Sequence, residues 1–206
     1  MERNVEMKFA RELKSFHHLT ILSLIFGAIA MAISLAFVVS NIIAFINQNS
    51  IIHIIPTIIG LLTFSFAMRW LLAAVDVMDG VDEIKDEYTK IKEAASDELI
   101  TGLIVKMLAH YRAKKPTISK LVLLCKVAAI CLIMNGILML SQAILNNPTN
   151  ALELTSSLAA TLINWGIGIV GLFIPNSFQN YSSCWEVRAQ FSEMVEKELE
   201  FLIERK

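Results

Sequence analysis

LTILSLIFGAIAMAISLAFVVSNIIAFI, residues 19–46, runs for 28 residues without an Asp, Glu, Lys or Arg. At about 1.5 Å per residue a helix of this length exceeds the roughly 30 Å hydrocarbon core of a bilayer, so it must tilt or protrude. Three further apolar runs follow at residues 51–68, 121–145 and 154–174, with Lys126 near the start of the third. The reading is four transmembrane helices. The stretches 47–50 and 146–150 are short, polar and free of Lys and Arg, so each is expected to close a hairpin of two antiparallel helices.

The charges outside these runs orient the chain. All eighteen Lys and Arg residues lie in three segments: up to Lys14, from Arg69 to Lys126, and from Arg188 onward. Basic residues are retained on the cytoplasmic side of a membrane, which places both termini and the central segment there and both hairpin tips on the far side. Arg69, Lys120 and Lys126 are expected to snorkel to the headgroups, with Trp70 as an aromatic anchor at the same level. The N-terminal basic segment leads into a run longer than a signal-peptide core, so the first helix is expected to remain in place. A formal net charge of -1 gives no bias toward nucleic acid.

Amphipathic stretches follow each hairpin. Val77, Val81, Ile84, Tyr88, Ile91 and Ala95 step by four and three, a heptad seam among Asp, Glu and Lys that calls for a partner helix. Ser96 is expected to cap a further helix that ends near Lys114, Lys115 and Pro116. Trp185, Phe191, Val195, Leu199 and Leu202 repeat the theme in the tail. The chain thus divides into an N-terminal segment with the first hairpin (1–75), cytoplasmic helices (76–116), the second hairpin (117–178) and a cytoplasmic C-terminal helix (179–206). Two copies of one plan, offset by roughly 100 residues, would be parallel repeats because each has an even number of spans.

Few residues suggest chemistry. Asp76, Asp79, Glu83 and Asp86 share a helical face and form a candidate cation mouth, although a solvated helix face explains them as well. Gly80 interrupts that helix as a candidate bend. Among polar residues of the spans, Ser34, Ser40, Asn41, Asn135, Ser141, Thr161 and Asn164, none ionises; Asn135 and Asn164 either line a polar path or bond to neighbouring helices. His53 and Pro56 stand near the outer end of the second span, where a lone histidine is seldom a site. Gly166, Gly168 and Gly171 form a GxGxxG string inside the fourth span and are read as helix packing, as are Ala28, Ala32 and Ala36 on the first. The cysteines, Cys125, Cys131 and Cys184, imply no disulfide framework.

No nucleophile–base pair, phosphate loop, zinc spacing or bis-histidine haem site is present in the sequence, so neither an enzyme nor a cofactor is expected. The expected fold is all-α: an integral membrane four-helix bundle of two parallel hairpins with cytoplasmic amphipathic helices. The expected partners are the lipid bilayer and either a second copy or a partner helix, but no nucleic acid. The leading function is a membrane scaffold or assembly subunit acting through the seam, and the alternative is an oligomeric cation channel or transporter.

Overall fold

The computed structural model describes residues 2–48, 51–91, 97–145 and 151–204, with side chains for 6–47, 51–91, 98–145, 154–197 and 201. The described chain is four long helices: α1 (Glu2–Gln48), α2 (Ile54–Ile91) with a short 3-10 turn (Ile51–His53) before it, α3 (Asp97–Leu145) and α4 (Ala151–Glu204). Each is long and apolar enough to cross a membrane. At about 1.5 Å per residue, the 47 residues of α1 reach about 70 Å, more than twice the hydrocarbon thickness.

Each span and its charged extension form one helix. The sequence boundaries at 75/76, 116/117 and 178/179 fall inside α2, α3 and α4. The helix end expected at Pro116 is absent, because α3 runs through it to Leu145. Proline removes one main-chain donor and crowds the carbonyl four residues earlier, a local cost that packing along the rest of a long helix can outweigh. Pro175 in α4 shows a direct compensation: the Gly171 carbonyl, four residues before it, accepts the Cys125 thiol of α3 at 3.1 Å. Gly80 does not break α2 either. Pro56 falls in the first turn of α2, where its missing N–H has no helical partner to lose.

Consecutive helices pack antiparallel. Trp70 of α2 donates to Ser23 of α1 at 2.9 Å, Asn135 of α3 to Thr63 of α2 at 3.3 Å, and Trp165 of α4 to the Ile133 carbonyl of α3 at 3.3 Å. Polar side chains inside the apolar runs largely bond back to their own helix: Thr20 to Phe16, Ser34 to Ala30, Asn41 to Phe37 and Thr63 to Ile59. Each thereby satisfies a donor that is buried between the helices. Trp70 corrects the sequence reading. It is fully buried and bonded to Ser23, so it is an interhelical core residue and not an interfacial anchor.

At one end of the bundle, contacts between polar and charged side chains link every neighbouring pair of helices. Arg188 holds Glu12 with two bonds of 2.6 and 2.7 Å between α4 and α1. Asp82 of α2 lies 3.1 Å from His17 of α1. Lys106 and Lys114 of α3 reach Glu83, Glu87 and Asp76 of α2, and Arg112 and Lys115 reach Glu196 and Glu186 of α4. Beneath this charged end, Phe9, Leu13, Phe16, Val77, Val81, Ile84, Leu103, Met107, Tyr111, Phe178 and Trp185 share one buried cluster. The amphipathic stretches therefore pack on one another.

α1 and α4 close the bundle over far less of their length than consecutive helices do. Their contact includes the charged end, where Phe16 stacks on Tyr181 at 4.2 Å and meets Phe178 edge-on.

Candidate functional site

A crevice of about 890 Å³ lies between α1, α3 and α4 toward the opposite, tip end. Its volume is within the range of small-molecule sites. From Ile33 to Ala44 it follows α1 over twelve residues, roughly 16 Å of helix. α3 supplies Met139, Gln142 and Ala143, while α4 supplies Ser156, Ser157, Ala160, Ile163 and Asn164. The turn before α2 adds His53.

The helices position these groups by period. Ala36, Ser40 and Ala44 follow one another at one-turn intervals on α1, so their small side chains leave room between α1 and α4. Gln142 bridges the mouth: its Nε2 lies 3.1 Å from Asn41 Oδ1 and 3.4 Å from His53 Nδ1. Asn41 donates to the Phe37 carbonyl of its own helix, which leaves its oxygen facing Gln142. One turn deeper, Asn164 donates to the Ala160 carbonyl at 2.9 Å and approaches Met139 Sδ at 3.5 Å. Its Oδ1 is buried with no hydrogen-bond partner. No Asp, Glu, Lys or Arg occurs among the described lining residues.

The sequence singled out Ser40, Asn41 and Asn164 as polar residues of the spans, and the structure brings them together. Asn135 is elsewhere, bonded to Thr63 across α2 and α3. His53, set aside as an isolated histidine, lines the crevice, and Gln142, Ser156 and Ser157 went unremarked. A signal was available for Gln142, an amide inside an otherwise apolar run, but its partner lies 101 residues away in the chain.

The seam is occupied by the chain itself. Val77 and Val81 are fully buried, Ile84 is 1% exposed, and all three belong to the cluster with α1, α3 and α4. Tyr88 meets Phe9 edge-on at 6.0 Å, and Ile91 packs against the same cluster. Ala95 lies outside the described residues.

The acidic face is partly neutralised. Lys114 binds Asp76 at 2.6 Å and holds its carboxyl below the usual range, and Lys106 does the same for Glu83 at 2.9 Å. Asp79 and Asp86 are exposed on the same helix. Among the described residues no group of three or more His, Cys, Asp or Glu is arranged to hold a metal ion.

The small residues divide. Gly168 and Gly171 lie against Ala129 of α3, and a Cβ at Gly168 would meet Ile133 at 2.7 Å. Gly166 is exposed with open space around it, and Ala28, Ala32 and Ala36 are exposed along α1.

Two histidines are enclosed at the charged end. His17 has its pKa lowered by burial and then by Lys85, whose ammonium lies 2.6 Å from Nε2. That nitrogen cannot both accept from Lys85 and donate to Asp82, and the larger influences favour the neutral acceptor. His110 is likewise lowered, mainly by burial, against a hydrogen bond to the Val77 main chain.

Comparison with protein families, curated proteins and solved structures returned no match to this chain.

Proposed function

We propose that the chain is a four-span integral membrane protein of two parallel hairpins, with its charged end and both termini in the cytoplasm. It acts without catalysis, as a membrane scaffold or assembly subunit that holds a guest in the crevice between α1 and α4. The carrying observation is the crevice itself, a volume of about 890 Å³ walled by three helices, with hydrogen-bonding groups inside an otherwise apolar setting. The seam, already buried within the bundle, is not needed for this role. The placement of the charged end rests on the positive-inside rule, which all eighteen basic residues obey.

The cation-channel reading has less support. It relied on a row of free carboxylates, and Asp76 and Glu83 are engaged by lysines of α3. Native mass spectrometry of the full chain, extracted in mild detergent, tests the guest-binding proposal. The wild type should carry a non-covalent mass that the double variant Ala36→Trp, Ala160→Trp loses, because two indoles fill the space. A bare chain in both samples refutes a guest in the crevice. Labelling of an Asn47→Cys variant by an impermeant maleimide on intact cells checks the orientation, and reaction only after permeabilisation would reverse it.

A further inference from the structure

The crevice has an internal polarity that narrows what fits it. Gln142, Asn41 and His53 form a hydrogen-bonded mouth near the tips. Ile33, Phe37 and Ile163 supply apolar wall, and Ile163 remains 54% exposed. Between the two regions stands Asn164, only 3% exposed. The direction of its amide is fixed, because the group facing the Ala160 carbonyl must be the N–H₂; an oxygen there would repel. The remaining oxygen is a buried acceptor without a donor. A ligand hydroxyl would supply that donor.

Charge excludes much of the remainder. A phosphate or ammonium headgroup placed here would leave water with no counter-charge among the described lining residues, which is strongly unfavourable. An uncharged headgroup avoids this penalty. α1 and α4 are tied together at the charged end, while exposed Leu35 and Val39 on α1 and Leu162 on α4 lie beside the crevice, faces suited to lipid.

We infer that the crevice binds an uncharged lipid bearing a free hydroxyl, of the diacylglycerol class. Its hydroxyl donates to Asn164 Oδ1, its ester carbonyls face the Ser157 hydroxyl, and its chains follow Ile33, Phe37 and Ile163 toward the bilayer. This inference rests on the crevice being the guest site and names the guest's chemistry.

The test uses the full chain in phosphatidylcholine nanodiscs. Each preparation carries one trace probe with the same diazirine-bearing acyl chains: diacylglycerol, anionic phosphatidic acid, or a cationic lipid. After irradiation, labelled residues are mapped by peptide mass spectrometry. Diacylglycerol should label the crevice residues Ile33, Phe37, Ala160 and Ile163 about tenfold more than either charged probe, as expected when a charge must be buried without a partner. Asn164→Leu should reduce that labelling about fivefold through loss of one hydrogen bond, with Ser157→Ala as a milder second variant.

Equal labelling by all three probes would overturn the headgroup assignment and leave the crevice as a guest site. A preference for the anionic or cationic probe would do the same. Labelling confined to outward faces such as Leu162, with none in the crevice, would overturn both readings. Crevice protection that appears only as the chain dimerises would assign the space to a second copy and refute the lipid.

Discussion

Replacing Gly80 with Ala sets two effects of opposite sign against each other. In a helix interior, Ala is favoured over Gly by about 1 kcal/mol, so propensity alone predicts stabilisation. The structure predicts the reverse, because a Cβ at Gly80 would clash with the Cε1–Nδ1 edge of the His110 ring. That ring belongs to α3, is largely enclosed and bonds the Val77 main chain, so displacing it disturbs the α2–α3 contact at the charged end. Overpacking of this kind costs about 1–3 kcal/mol, which leaves a net loss of up to about 2 kcal/mol for Gly80→Ala. The deciding comparison is made in a His110→Ala background. With the ring gone, the same Gly80→Ala change should stabilise by about 1 kcal/mol, and the sign of the effect inverts. Thermal unfolding of the four proteins in one detergent reads this directly, since about 1 kcal/mol corresponds to about 2–4 °C for a chain of this size. Stabilisation by Gly80→Ala in the otherwise native chain would show that His110 does not lie on Gly80.

Three further outcomes follow from the packing. Val81→Asp places a carboxylate at a fully buried position and should destabilise the fold by about 4 kcal/mol or more, seen as loss of a monodisperse peak in size exclusion; a stable chain with an altered oligomeric state would instead make the seam a partner surface. Stability should fall as pH drops below about 6.5, because burial lowers the pKa of His17 and His110, so the unfolded chain binds protons more tightly and gains relative to the folded one. His110→Gln should flatten that slope in unfolding measured between about pH 7 and pH 5, and an unchanged profile would refute its part in it. The Glu12–Arg188 pair should show a coupling of only about 0.5–1 kcal/mol in a double-mutant cycle, since the Arg188 side chain is 40% exposed and water screens the pair. Arg188→Ala alone should cost somewhat more than the coupling, because the guanidinium also lies 4.9 Å from the Trp185 ring centre.

Individual residues show how far the sequence could be read. Residues 19–46 announced a span because one uncharged run exceeds the bilayer thickness, a property that needs no knowledge of neighbours. The period of Val77, Val81 and Ile84 announced a buried face but not what buries it: the same stripe would serve a partner or the chain's own α1 and α3. Trp70 was misread because its position near a span end suits an interfacial ring, whereas its bond to Ser23 lies 47 residues away in sequence. Pro116 was misread because its local cost favours a helix end, and the packing of a 49-residue helix overrides that cost.

The sequence by itself determined four membrane-length helices, their short polar connections and the segregation of basic residues into three segments outside the long apolar runs. These follow from the free energy of placing charge and unpaired backbone in hydrocarbon, which acts on each segment separately. The tertiary structure alone decided that each span continues unbroken into its charged extension, that the seam closes on its own bundle, and that α1 and α4 leave a polar crevice between them. Those features depend on which faces of distant helices meet, and that is settled by side-chain shape and by hydrogen bonds such as Gln142 to Asn41.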